Sequence, residues 1–160
     1  MENRVGLGYD VHRLEKGLPF RLGGINIEHT KGAVGHSDAD VLIHAICDAL
    51  LGAAAFGDIG SHFPDTSSEF KGINSLILLE KTIHLLADAG YSIVNIDSTV
   101  CLQEPKIRPY IEDMRSALSM AMGIDRDRVS VKATTEEKLG FTGAEEGVSA
   151  HAVAMIRKYK

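Results

Sequence analysis

Residues 36–56 read HSDADVLIHAICDALLGAAAF, and this stretch decides how the chain folds. Leu42, Ala45, Ile46, Ala49 and Ala53 recur at helical spacing, which makes one apolar stripe along a single helix. Ser37 is placed to cap it, Asp38 and Asp40 fall in the first turn where the helix dipole favours acidic groups, and Gly57 marks its end. His44 lies one position off the stripe, with Val41 and Asp48 beside it at i−3 and i+4.

Working outward, "GDIGSHFPDTSSEFKG" (57–72) follows as a long loop without apolar periodicity, a length that in compact domains often carries function. A second helix is expected over Ser75–Ala89, with Leu76, Leu79, Ile83 and Leu86 inward and Gly90 as its stop. Tyr91–Cys101 alternates as a strand, with Ile93, Asn95, Asp97 and Thr99 on one face and Val94, Ile96, Ser98 and Val100 on the other. A third helix spans about Pro109–Met122 before Gly123, and strands follow over Val129–Ala133 and Val148–Arg157. Upstream, Val5–Tyr9 reads as a strand running into a loop, and Phe20–Leu22 with Ile25–Ile27 as a hairpin turning at Gly23-Gly24.

This order of elements predicts an α+β fold, a mixed β-sheet with helices packed on one face. Ala, Val and Ser in the last strand make the other face too apolar for open water, so it is expected to be buried against copies of itself in a closed homo-oligomer. The 160 residues carry no repeat or linker, and a single domain over 1–160 is expected.

Composition narrows the partners. A formal charge of −5 without a Lys/Arg cluster argues against nucleic acid. No apolar run approaches the roughly 20 residues that span a membrane, and the N-terminus lacks a signal-peptide pattern. Cys47 and Cys101 stand far apart without a Cys-x-x-Cys motif, which fits a reducing cytoplasm rather than a disulfide framework.

The chemistry-bearing residues cluster in four stretches. In "GYDVHRL" (8–14), Asp10 and His12 share one face of an extended chain, roughly 6.5–7 Å apart at Cα. They are either an ordinary charged strand end or two ligands of one ion. His44, alone a core-edge histidine, would complete a His2Asp set, leaving a zinc ion's fourth position open as catalytic sites do. Asp48 is then either a solvated helix charge or a carboxylate behind a ligating histidine. His36 and Ser37 stand at the helix start, where free N–H groups suit a phosphate. Asp58, Gly60, His62 and Asp65 lie in glycine-flanked backbone open to a polar ligand. Lys132, Thr134, Thr135 and Glu137 close a strand with groups suited to phosphate oxygens and a divalent cation. Each stretch alone reads as a polar turn; together they point to phosphate chemistry at a zinc-bearing site.

"GYDVHRL", "GHSDADVLIHAICDALLGAAAFGDIGSHFPDT", "QEPKI" and "VKATTEEKLGFTG", in that order and spacing, resemble the 2-C-methyl-D-erythritol 2,4-cyclodiphosphate synthases of the non-mevalonate isoprenoid pathway. The resemblance covers nearly the whole chain. It implies a cytoplasmic homotrimer with active sites between subunits. It also implies an intramolecular phosphoryl transfer on 4-diphosphocytidyl-2-C-methyl-D-erythritol 2-phosphate that releases CMP. By the same resemblance, Asp10, His12 and His44 hold Zn²⁺ (or another divalent transition metal), and Glu137 holds Mg²⁺ or Mn²⁺. His36 and Thr135 match transition-state-stabilising positions. Asp58, Ile59, Gly60, His62, Phe63, Pro64 and Asp65 match the segment that contacts the methylerythritol. Leu102, Gln103, Glu104, Pro105, Lys106, Ile107 and Arg108, with Lys132, Ala133, Thr134 and Thr135, match the pocket for the cytidine diphosphate portion, contributed by the adjacent subunit. Asp10, His12, Ser37, Glu137 and Phe141 also count as substrate contacts.

The chain departs from the family pattern at Ala144, where an arginine often stands on the threefold axis. Alanine cannot hold a phosphate, so feedback binding of an isoprenoid diphosphate is not expected. A zinc hydrolase and a trimeric binding module with structural zinc are the competing readings. The first lacks an obvious general-base glutamate, and the second lacks a fourth protein ligand.

Overall fold

Strand β1 (Glu2–Lys16) is three times the length that alternation alone marks out, because it is paired along nearly all of it. From Glu2↔Lys158 to Arg13↔Gly147 it runs antiparallel to β7 (Gly147–Lys158), and from Leu14↔Ala33 to Lys16↔Lys31 it pairs with the short β4 (Lys31–Ala33). Asp10 and His12 therefore sit within the strand, not in a loop beyond it. The computed structural model describes residues 1–159.

The sheet has the order β4-β1-β7-β5-β6, with β5 (Tyr91–Cys101) parallel to β6 (Val129–Thr134) and the other neighbours antiparallel. It is the expected mixed sheet of an α+β fold. Strands β2 (Phe20–Leu22) and β3 (Ile25–Ile27) form the expected separate hairpin. The helices are α1 (Val41–Ala53), the single turn α2 (Ile59–His62), α3 (Ser75–Asp88), α4 (Ile111–Met122) and the single turn α5 (Gly140–Gly143). Helix α4 starts two residues later than expected, since Arg108–Tyr110 forms a 3₁₀ turn, and it ends as expected at Gly123 with φ +64°. Among the described residues, no helix is long and apolar enough to cross a membrane.

Helix α1 lies across β1 and β7, and small residues allow it to come close. Gly6 and Gly8 of β1 face Ala45, Ala49 and Ala53 of the helix, and Ala150, Ala152 and Ala154 of β7 are buried beneath it. This corrects the reading of the last strand, whose alanines serve the helix-covered face. The opposite face carries Val5, Leu7, Tyr9, Val11 and Val153, with Leu7 70% exposed. In β5 a bulge between Ile93 and Asn95 shifts the alternation, so Ile93 joins Ile96, Ser98 and Val100 on the buried face. Cys47 and Cys101 are buried free thiols, and burial pushes Cys47 up to about 12.

The start of α1 also differs from expectation. Ser37 is not its cap; Asp40 is, with its carboxylate accepting from Ile43 N at 3.1 Å. The same carboxylate accepts from Gly23 N at 2.9 Å and Gly24 N at 2.7 Å, which ties the β2–β3 turn to the helix. Burial pushes the Asp40 carboxyl up, against the backbone N–H groups that favour its charged form. Asp40→Ala leaves three backbone donors without their acceptor. It is expected to lower stability by about 3 kcal/mol or more, read as a drop in the urea midpoint, with Asp40→Asn intermediate.

Candidate active site

Strand periodicity brings Asp10 and His12 to the helix-covered side of β1, and α1 lays His44 over them. Asp10 Oδ2 stands 2.9 Å from His12 Nε2 and 3.0 Å from His44 Nδ1. The two ring nitrogens are 3.2 Å apart. Ligand atoms around a tetrahedral zinc at ordinary bond lengths are about 3.3 Å apart, so the three donors are already close to that spacing.

The opposite ring nitrogens determine what these atoms present. His12 Nδ1 donates to Val34 O at 2.8 Å, which leaves Nε2 bare in the neutral ring. His44 Nε2 lies 3.1 Å from Ser37 Oγ and 3.0 Å from Ser75 Oγ, two hydroxyls that can accept a proton carried there and so leave Nδ1 bare. Two lone pairs and a carboxylate oxygen then converge with no proton among them, an arrangement that a divalent cation satisfies and neutral side chains do not. Among the described residues this is the group of three that could hold a metal ion. Without a cation the site takes up protons instead. Burial works against the Asp10 charge, but hydrogen bonds from His12 and His44 hold its carboxyl at about 2. For His12, burial is likewise outweighed by Asp10, and its pKa is raised.

Asp48 does not stand behind either histidine. Its Oδ1 accepts from Ile59 N at 2.7 Å and holds the start of α2 against α1.

His12 and His44 open onto a cavity of about 380 Å³. Of the expected residues, His36, Ser37, Ile59, Gly60, Phe63 and Asp65 line it, joined by Gly35, Phe70 and Leu78, which were not anticipated. Phe70 and Leu78 look like ordinary apolar positions in sequence, and only the fold of residues 57–78 brings them here. His36 Nε2 donates to Ser67 O at 2.9 Å, which anchors the loop over the cavity. Asp58 does not line the cavity: it caps α2, with Oδ1 accepting from Ser61 N and Ser61 Oγ, and these bonds lower its pKa. His62 turns toward Phe56 O, 2.9 Å away, and Pro64 does not line the cavity either.

A second cavity of about 540 Å³ gathers Leu102, Pro105, Lys106, Ile107, Arg108, Ala133, Thr134 and Thr135, with Pro109 added. Three expected members lie outside it. Gln103 Oε1 accepts from Lys138 N at 3.2 Å, Glu104 lies 3.6 Å from Lys106 Nζ, and Lys132 points to the other sheet face, where Nζ pairs with Asp97 at 2.8 Å. Glu137 stands in a left-handed turn at φ +53°, with its carboxylate 3.5 Å from Thr135 Oγ1. Phe141 borders a smaller cavity of about 210 Å³ on the far side of His12, with Val11, Arg13, Glu146 and Gly147.

The two larger cavities do not merge within one chain. Asp10, Ala150, Val100 and Ala133 stand in one row across the sheet. Three interstrand steps separate β1 from β6 by about 14 Å.

A mixed sheet carrying three converging donors beside a cavity makes an α+β domain with a candidate site for a divalent cation and room beside it for an outside ligand. Residues 3–157 match the YgbB family, and the chain belongs to it. It is 58% identical over 158 residues to the 2-C-methyl-D-erythritol 2,4-cyclodiphosphate synthase of Bacteroides fragilis (strain ATCC 25285), covering 99% of each chain. It is 57% identical over 155 residues to the synthase of the same name from Syntrophomonas wolfei, covering 97% of this chain and 99% of the relative. Among solved structures, a 2C-methyl-D-erythritol-2,4-cyclodiphosphate synthase in a CDP-bound form superposes with a TM-score of 0.89 at 36% identity, over 96% of this chain and 100% of that one.

Proposed function

We propose that the chain converts 4-diphosphocytidyl-2-C-methyl-D-erythritol 2-phosphate to 2-C-methyl-D-erythritol 2,4-cyclodiphosphate and CMP, within non-mevalonate isoprenoid precursor synthesis in the cytoplasm. The observation that carries this reading is the convergence of Asp10, His12 and His44 on one point at the rim of a cavity that also holds His36 and Ser37. The full-length relatives named for this activity support it.

An oxygen of the 2-phosphate forms a bond to the β-phosphorus, and the bond from that phosphorus to the CMP oxygen breaks. The attacking phosphate is already ionised, so no residue has to remove a proton. What the reaction needs is alignment and positive charge. Asp10, His12 and His44 would hold Zn²⁺ or another divalent transition metal and Glu137 would hold Mg²⁺ or Mn²⁺, and when bound these cations offset charge on the phosphates. Ser37 and His36 border this cavity, where the Ser37 hydroxyl can donate to a phosphate oxygen and His36 holds the loop that covers it. Phe63, Phe70 and Leu78 provide apolar walls that exclude water from the reacting centre. The larger cavity beside Thr135 suits the cytidine diphosphate portion, in keeping with the CDP-bound relative.

With the two cavities at opposite sheet edges, one substrate would bridge them only if neighbouring copies bring the edges together. The exposed apolar row of Val5, Leu7, Tyr9, Val11 and Val153 supports a homotrimer closed on that face. The single continuous core supports one domain over 1–160. Ala144 gives no phosphate contact, so feedback binding of an isoprenoid diphosphate is not part of the proposal.

The test is CMP release by the purified chain loaded with zinc and supplied with Mg²⁺ or Mn²⁺. Equal amounts of CMP and the cyclic diphosphate are expected. CMP without the cyclic product would make the protein a hydrolase, and neither product would end the enzymatic reading.

A further inference from the structure

We infer that Ser75, held by Asp38, is a positioning residue that fixes His44 in the tautomer able to bind a cation. This rests on the metal-centre reading above and adds residues to it that lie outside the ligand set.

Ser75 is the first residue of α3 and is fully buried. Its Oγ is 3.0 Å from His44 Nε2 on one side and in short contact with Asp38 Oδ1 on the other. Its backbone N–H donates to Asp38 Oδ2 at 2.9 Å, so Asp38, from a distant part of the chain, accepts a first-turn N–H of α3 beside the Asn74 cap. A hydroxyl has one proton, and an ionised carboxylate only accepts. The Ser75 proton therefore goes to Asp38, and a Ser75 lone pair faces His44. Nε2 of His44 must then carry the ring proton, which leaves Nδ1 bare toward Asp10 and His12. His12 reaches the equivalent state through a backbone carbonyl, Val34 O.

Ser37 Oγ, at 3.1 Å, is the second acceptor within reach of the same His44 proton. The two serines are not equivalent. Ser75 is polarised by a carboxylate, which strengthens it as an acceptor, whereas Ser37 lines the cavity. With Ser75 holding the His44 proton, the Ser37 hydroxyl is free to donate to an anionic oxygen in the cavity. One serine orients the ligand, and the other remains available to the substrate. The relay extends one step further, since Arg21 Nε lies 3.9 Å from Asp38 Oδ2 and is itself held by Asn26 Oδ1 and Gly24 O.

The test starts with zinc stoichiometry of the unaltered protein; failure to bind a full equivalent would remove both this inference and the metal-centre reading. Given that binding, Ser75→Ala is expected to weaken zinc affinity about 10–100-fold in competition with a chromophoric chelator. The cobalt-substituted variant should show a visible d–d band altered in position and intensity, and Ser75→Thr, which keeps the hydroxyl, should recover affinity and spectrum. An unchanged cobalt spectrum with zinc affinity within about twofold of the unaltered protein would overturn the positioning role while leaving the metal centre intact. If Ser75→Ala does not fold, long-range ¹⁵N NMR of the unaltered zinc-loaded protein decides. A slowly exchanging proton on His44 Nε2 is expected, and a proton on Nδ1 or rapid exchange at Nε2 would refute the relay.

Discussion

His44→Ala is expected to abolish stoichiometric zinc binding and to lower kcat by about 10³-fold or more, since it removes a ligand and the charge that ligand holds against the phosphates. The fold should survive. His44 lies at the rim of α1 and not on its apolar stripe, and its side chain is 13% exposed. In the metal-free protein the variant gives up the hydrogen bond between His44 Nδ1 and Asp10 Oδ2, a loss of about 1 kcal/mol. Metal-free His44→Ala should thus match the metal-free parent in stability to within about 1 kcal/mol. The contrast comes on adding zinc. A ligand at a hundred times its dissociation constant stabilises the folded state by about 2.7 kcal/mol, and that gain should appear as a higher melting temperature in the parent only. Metal analysis, thermal melting with and without zinc, and CMP release together decide it. Full activity in a metal-stripped His44→Ala sample would exclude the triad as the zinc site.

How much of this site the sequence discloses depends on how local each contact is. Asp10 and His12 share a face because a strand has a period of two, and that is legible in three residues. The stripe of α1 is equally legible, but its cap is not. Ser37, Asp38 and Asp40 all have capping side chains within four positions, and local propensity does not separate them. Hydrogen bonds to Gly23 and Gly24, far away in the chain, select Asp40. Asp38 looks like a first-turn residue of α1 and in fact accepts the first N–H of α3, a contact across 37 positions that no spacing rule reports. The same distance conceals Ser75. Strand β4 is missed because Lys31-Gly32-Ala33 has neither β-branched residues nor alternation, and only pairing with the end of β1 makes it a strand. The Val94 bulge is hidden for a related reason, since alternation continues on paper where the register slips. Among the residues expected around the cytidine diphosphate portion, Lys132 has the composition of a phosphate contact but the wrong parity for its strand, so it faces Asp97 instead.

Gly8→Ala should be as damaging as loss of a ligand, although Gly8 touches no metal ion. A Cβ at this position would lie 1.8 Å from Ala45 O and 2.7 Å from Ala49 N. These are backbone atoms of α1, so no rotamer change makes room, and the helix must move off the sheet by more than about 1 Å to reach an ordinary contact. Gly6 meets the same helix one turn further on, at 2.0 Å from Ala49 O. The stability cost should lie at or above the upper end of ordinary overpacking, about 3 kcal/mol, because neither the strand nor the helix can yield alone. The functional consequence follows from position. His44 is adjacent to Ala45 on the helix, and Asp10 is two residues from Gly8 on the same face of β1. Any retreat of α1 therefore opens the 3.0 Å approach between Asp10 and His44. Displacements of this size cost on the order of 100-fold in aligned chemistry. Gly8→Ala should then lower the urea midpoint and the zinc affinity together, whereas Leu7→Ala, on the opposite face, should leave zinc affinity in the isolated chain unchanged. A Gly8→Ala protein with the parent's midpoint and affinity would mean that α1 does not rest on β1 at this distance, and the close glycine–alanine contact would not be what sets the metal centre.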